Sequence, residues 1–161
     1  MKIFLEICII LFFGSAGYFY KNKYKESLKT LNMLHEFACL YDSNISLFKN
    51  DLQEIINNYI ITHKNKNANY CKFILKNDNI YQFNMEFLKN KIIDKNTFNV
   101  IQRYLIEIGK SEYEYEKEKN RKFEQFLTTK IIEENKLEKE KGGLGFKLML
   151  ALGAVVAIVI W

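Results

Sequence analysis

Two long apolar stretches bracket a charged middle in which apolar residues recur at helical spacing. From Leu148 onward the chain carries no charge, no proline and one glycine, Gly153, after an opening of Gly142, Gly143, Leu144, Gly145, Phe146 and Lys147. At 1.5 Å rise per residue, a run of about 18 to 20 residues makes a helix of about 27 to 30 Å, enough to cross the hydrocarbon core of a bilayer. Residues 142–161 are therefore expected to form a C-terminal transmembrane helix. Lys147 would snorkel back to the headgroups, and Trp161 suits the opposite interface, so these two are the expected membrane anchors. The competing reading is a buried helix of a water-soluble core.

Residues 1–20 form the other apolar stretch: Ile3, Phe4 and Leu5, then Ile7 to Phe13, then Gly14, Ser15, Ala16, Gly17 and the aromatic run Tyr18, Phe19, Tyr20. The small residues at 14–17 could mark the cleavage site of a secretory signal. The apolar character resumes after them, however, and Lys21, Lys23 and Lys25 follow at once, as at a membrane exit. An uncleaved N-terminal transmembrane helix is the preferred reading. Lys136, Lys139 and Lys141 precede the second span, so both basic flanks border the same middle segment. Positive flanks stay cytoplasmic, which places residues 21–141 in the cytoplasm and both termini across the cell membrane.

The middle segment reads as an all-α bundle. Leu28, Leu31, Leu34, Phe37, Ala38 and Tyr41 recur at steps of three and four, which predicts that the first helix runs on past the membrane. Asp42-Ser43-Asn44 looks like a turn or cap, after which Leu47, Phe48, Leu52, Ile55, Ile56, Tyr59 and Ile60 make a second stripe. Residues 63–69 are polar and aperiodic, a loop. Residues 70–75 and 80–88 each fit a short helix, and the first fits a strand equally well but lacks an alternating partner.

A clearer helix begins at Asp94 or Asn96, with Phe98, Ile101, Leu105 and Ile108 on one face. Gly109 stands where a left-handed terminating residue is wanted, and Ser111, Glu112, Tyr113 and Glu114 match a capping box. Gly109, Ser111 and Glu114 are therefore expected to build a sharp structural corner. The helix that follows, 111–141, is heavily charged, with a narrow seam of Tyr115, Phe123, Phe126, Leu127, Ile131 and Leu137. Gly142-Gly143 then offers flexibility, or close helix contact, at the bilayer surface.

Candidate chemistry is sparse. The sequence holds no phosphate-binding glycine loop, no nucleophile elbow and no His-Glu-x-x-His pair, and His35 and His63 fall on different predicted elements. Glu112, Glu114, Glu116 and Glu118 are spaced so that a helix scatters them, which argues against convergence on a metal. The net charge of +5 is mild and the lysines interleave with acids, unlike a nucleic-acid footprint. Cys8, Cys39 and Cys71 are three in number and far apart, which points to free thiols in a reducing compartment. No catalytic residue, cofactor or metal is expected, and the lipid bilayer is the first expected partner.

The order of parts resembles the stage III sporulation protein AB family of endospore-forming bacteria. It comprises an N-terminal membrane helix with a basic exit, a helical domain and the corner Ile108-Gly109-Lys110-Ser111-Glu112. A long charged helix and a glycine-flanked final span from Leu144-Gly145 onward complete it. The resemblance implies a non-enzymatic platform subunit in the channel that joins mother cell and forespore. Its helical domain would be similar to the platform proteins of type II secretion and type IV pilus machines. The implied partners are the secretion-type ATPase of sporulation and other membrane subunits of the same complex, met through exposed charges between Glu112 and Lys141. Two other readings stay open: a membrane-anchored regulator or tether acting through the charged helix 111–141, and a membrane enzyme whose site forms only on assembly.

Overall fold

The computed structural model describes residues 2–47, 51–64, 72–77 and 80–159. Of these, 86% are helical. The elements run α1 (Lys2–Leu47), α2 (Leu52–Lys64), β1 (Ile74–Asn77), β2 (Ile80–Phe83), α3 (Met85–Lys91), α4 (Lys95–Glu107), α5 (Tyr113–Leu137), a π-helical turn (Glu138–Gly143) and α6 (Leu144–Val159). They divide into two compact units, Met1–Leu28 with Ile132–Trp161, and Lys29–Ile131. Both boundaries fall inside the segment 21–141 that the sequence marks off as one domain.

The unit Lys29–Ile131 is built on the stripe of α1. Leu31, Leu34, Phe37, Ala38 and Tyr41 are buried as their spacing predicts. Ile55, Ile56 and Tyr59 of α2 join the same core, as do Leu88 of α3, Ile101, Tyr104 and Leu105 of α4, and Phe123 and Leu127 of α5. Phe37 is its centre, meeting the rings of Tyr59, Phe73 and Phe83 edge-on at centroid distances of 5.4, 6.0 and 5.5 Å. Such ring pairs stabilise beyond their buried area.

Two sequence expectations are corrected in this unit. Asp42-Ser43-Asn44 is no turn, because α1 continues to Leu47. The side chains that favour turns instead bond backward along the helix, Ser43 Oγ donating to the Cys39 carbonyl at 2.9 Å and Asn44 Nδ2 to the Leu40 carbonyl at 2.8 Å. Ile74–Asn77 and Ile80–Phe83 pair as an antiparallel hairpin, with Ile74 opposite Phe83 and Asn77 opposite Ile80. A hairpin alone is marginal in water, and here α2 supplies the missing neighbour. The Tyr81 N–H donates to Gln53 Oε1 at 2.8 Å, Gln53 Nε2 donates to the Tyr81 carbonyl at 3.2 Å, and the Tyr81 hydroxyl donates to Asn57 Oδ1 at 2.9 Å. One glutamine amide thus occupies the place of a third strand.

Helix starts follow local grammar. Asn84 caps α3 by accepting from the Phe87 N–H at 2.9 Å. Asp94 caps α4 by accepting from the N–H groups of Asn96 and Thr97 at 3.3 and 3.0 Å, and from the Thr97 hydroxyl at 2.6 Å.

The other unit pairs the first part of α1 with the chain from Ile132 onward, and glycines set its closeness. Gly14 faces Leu150, Gly17 faces Phe146 and Met149, and Gly153 faces Phe13 and Ile10. Residue numbers fall on one helix as they rise on the other, so the pair is antiparallel. A Cβ at Gly17 would lie 3.0 Å from that of Met149, and one at Gly145 would lie 2.9 Å from the Tyr20 ring. The helix leads straight through Gly142-Gly143 into the apolar stretch, as the lack of a strong breaker before them predicts. Both glycines lie in the π-helical turn, and the helix runs unbroken from Tyr113 to Val159. Gly142 is buried, where a Cβ would sit 3.6 Å from Lys21 and Tyr24.

Candidate functional site

Three features carry the chemistry of the described residues: the apolar outer surface of the helix pair, the corner around Gly109, and a buried polar line through Asn120.

The first follows from composition. The helix Tyr113–Val159 contains an 18-residue window of mean hydropathy 2.0, long and apolar enough to cross a membrane, and only 17% of that window is buried. A helix from a soluble core would bury most of such a window. Here Leu148, Leu152, Val155 and Ile158 are 56, 52, 56 and 74% exposed, while Gly153 and Ala157 face inward. On α1 the same inversion holds, with Leu11, Phe12 and Phe19 exposed and Gly17 buried. Lys147 lies exposed in the first turn of α6, and Trp161 lies outside the described residues.

At the corner, Gly109 adopts φ +74°, the left-handed conformation the sequence asks of it. The rest of the corner is made differently from the expected capping box. Helix α5 begins at Tyr113, and Ser111 and Glu114 are both exposed. The carboxylate that reaches back belongs to Glu116. Its Oε1 accepts from the Gly109 N–H at 2.9 Å and its Oε2 from Lys119 Nζ at 2.9 Å, and the Tyr41 hydroxyl lies close to the same group. Lys119 Nζ also donates to the Glu107 carbonyl at 2.9 Å, closing the end of α4. Glu116 is only 3% exposed, so a charge-assisted set of donors is what permits its burial. Burial first, and then the neighbouring Glu116 charge, push the Tyr41 hydroxyl well above the usual tyrosine range. A cavity of about 330 Å³ opens beside Tyr41, Leu52, Ser111 and Glu116.

The third feature crosses the bundle. The Tyr104 hydroxyl donates to Asn120 Oδ1, and Asn120 Nδ2 donates to the Ala38 carbonyl at 3.1 Å and to Glu124 Oε1 at 2.9 Å. Asn120 is fully buried, and Tyr104 stacks on Phe123 with ring centroids 3.7 Å apart. Burial raises the Tyr104 hydroxyl far above its ordinary range. Burial and then the Asp42 charge raise the Glu124 carboxyl. This line joins α1, α4 and α5 at one polar register point.

The histidines are placed more centrally than their sequence context indicates. His35 Nε2 lies 3.2 Å from Thr128 Oγ1, and its Nδ1 lies 3.7 Å from Cys39 Sγ. Burial, then the Glu124 charge, raises that thiol above the usual cysteine value, which keeps it protonated. His63 belongs to the last turn of α2 and not to a loop. It is 8% exposed, stacks on Tyr59 at 4.2 Å and pairs with Glu36 at 3.5 Å. Cys8 and Cys39 are free thiols, and Cys71 lies outside the described residues. Among the described residues no group of three or more His, Cys, Asp or Glu is placed to hold a metal ion.

Sequence reasoning missed Glu116 and Asn120. Both stand on the helix beneath the corner, on the buried face that continues through Phe123 and Leu127 at steps of four, three and four residues, so a polar residue on that face was the available signal. The exposed charges of α5 include the Glu118–Lys122 pair at 2.7 Å, in which the lysine holds the Glu118 carboxyl below the usual range.

These features define a helical protein that presents one helix fit to cross a membrane and a bundle knit by buried polar groups. Comparison with protein-family models, with curated proteins and with solved structures returns no match for this chain.

Proposed function

We propose that the chain is a two-span membrane protein whose helical bundle serves as a cytoplasmic, non-enzymatic platform, of the kind its resemblance to the stage III sporulation protein AB family implies. In this reading residues 1–20 and 142–161 cross the cell membrane as an antiparallel pair. The lysines at 21, 23, 25, 136, 139 and 141 mark the cytoplasmic side, and the exposed charges of α5 meet a secretion-type ATPase of the sporulation channel. Other membrane subunits of that complex would be neighbours of the spans.

The observation that carries the reading is the inverted construction of the helix pair. Glycines lie at the contact, and Leu11, Phe12, Phe19, Leu148, Leu152 and Ile158 are exposed away from it, as helices pack when their surroundings are as apolar as they are. The rival tether, an isolated helix 111–141, is disfavoured because Phe123 and Leu127 of α5 are buried in the bundle core.

Topology reporters fused after Lys64 and after Trp161 test it. Signal from the cytoplasmic reporter at Lys64 and from the external reporter at Trp161 is expected. Co-purification with the ATPase from sporulating cells, lost on neutralising exposed charges of α5 and kept on neutralising those of α2, is the second expectation. A bundle found outside the cell, or a chain released from membranes by alkaline carbonate, sinks the platform.

A further inference from the structure

Along α6 runs a groove of about 630 Å³ whose lining changes character from one end to the other. Glu140, Lys141 and the Tyr20 ring stand at its mouth, and Leu148, Met149 and Leu152 line its length. The mouth falls in the π-helical turn Glu138–Gly143, a distortion often found where helices bind ligands. Gly145 lies directly under the Tyr20 ring, which deepens the trough beside it.

Length and charge name the occupant. From Lys141 to Leu152 the helix rises about 16 Å, close to half of the roughly 30 Å hydrocarbon thickness, so the trough fits the chain of a lipid in one leaflet and is too short for a spanning helix. The mouth offers one cation and one anion on adjacent residues. Among the described residues Glu140 has one ion pair, a long i,i+4 contact with Lys136 at 3.9 Å, both side chains being largely exposed. The Tyr20 and Tyr24 hydroxyls lie 3.2 Å apart. One proton bridges that pair, which leaves the other to donate outward.

We propose that this groove is a binding site for a zwitterionic phospholipid with a primary ammonium, phosphatidylethanolamine. Its phosphate would meet Lys141 and the tyrosine hydroxyls, its ammonium Glu140, and its acyl chain Leu148 and Leu152. The inference rests on the membrane reading above.

The test is native mass spectrometry of the full chain, released from detergent with an equimolar mixture of phosphatidylethanolamine, phosphatidylcholine and phosphatidylglycerol. Wild type is expected to retain phosphatidylethanolamine about threefold over either competitor, the scale of one exposed ion pair. Glu140→Gln should abolish the preference over phosphatidylglycerol. Lys141→Gln should lower retention of all three lipids. Lys139→Gln, an exposed lysine of the same turn outside the groove, should change nothing. Leu148→Trp should reduce retention by filling the trough. Each bound peak is read against the lipid-free peak of the same variant, so a poor yield of folded protein does not mimic the effect. Equal retention of the three lipids, an unchanged ratio in Glu140→Gln, or a dimer mass replacing bound lipid overturns the groove and leaves the membrane reading standing. Release of the chain by alkaline carbonate overturns both.

Discussion

At the centre of the unit Lys29–Ile131 sit Leu31, Phe37, Tyr59, Phe73 and Leu127, each fully buried, with charges such as Glu118 and Lys122 outside. At the centre of the helix pair sit Gly17, Gly153 and Ala157, with Phe12, Phe19, Leu148 and Ile158 outside. One unit hides bulk and the other displays it. In the proposed reading water surrounds the first, and burial of apolar area drives its folding. That drive vanishes when the surroundings are apolar, and close backbone approach through small residues takes its place. The contrast therefore predicts that substitutions of opposite sense are harmful in the two units.

The largest effect belongs to the bundle. Phe37→Ala removes the ring against which Tyr59, Phe73 and Phe83 are set, and is expected to cost about 3–5 kcal/mol. Urea unfolding of the full chain in detergent, followed by tyrosine fluorescence, reads it, and a loss below about 1 kcal/mol would place the core elsewhere. In the helix pair the harmful change adds bulk. Gly17→Leu drives a side chain into Phe146 and Met149, where even a Cβ would lie 3.2 Å from the Phe146 backbone, and overpacking of this kind costs about 1–3 kcal/mol. In a cysteine-free background, oxidative cross-linking of Gly14→Cys to Leu150→Cys should fall when Gly17→Leu is added. An unchanged cross-link would mean that the glycines do not set the contact.

How much of this was legible follows the same division. The bundle's stripes were readable because period-3.6 spacing is a direct consequence of one buried face, and Leu31 through Tyr41 obey it. The hairpin was not. Residues 70–75 fitted a strand as well as a helix, but the partner strand Ile80–Phe83 read as helix, and the Gln53 side chain that holds its outer edge is a pairing that no local pattern encodes. Gly109 was readable from its conformational demand alone. The carboxylate that completes the corner was not, because Ser111 and Glu114 fit a capping motif by spacing while Glu116 wins by burial, an outcome decided by Tyr41 from elsewhere in the fold together with Lys119 one turn along α5.

Two mid-sized effects sharpen the bundle's side of the comparison, since both remove carboxylates that hold its helix ends. Glu116→Ala strands the Gly109 N–H and the Lys119 ammonium and is expected to cost about 1–3 kcal/mol, whereas Glu116→Gln should recover part of it. Equal stability of wild type and Glu116→Ala would remove the carboxylate from the corner. Asp94→Ala deletes the α4 cap, a loss of about 1 kcal/mol. The hydrogen bonds from Thr97, side chain before backbone, lower the Asp94 carboxyl below its usual value. A depressed acid stabilises the fold fully above its unfolded pKa and loses that contribution as pH falls through the folded one. The difference between wild type and Asp94→Ala should thus be constant at neutral pH and shrink below about pH 4. A difference that grows on acidification would reverse the assignment.

The smallest effect separates the two accounts of the corner. If Ser111 Oγ capped α5, Ser111→Ala would cost about 1 kcal/mol. In the fold seen here the helix starts at Tyr113, Ser111 is exposed at the rim of the cavity, and Glu116 holds the Gly109 N–H. Ser111→Ala should then lie within about 0.5 kcal/mol of wild type, as exposed positions do. The double variant Ser111→Ala, Glu116→Ala should match Glu116→Ala alone within the same margin. A cost near 1 kcal/mol for Ser111→Ala, or a strongly coupled double variant, would restore the serine to the cap and make the corner a local motif independent of the bundle behind it.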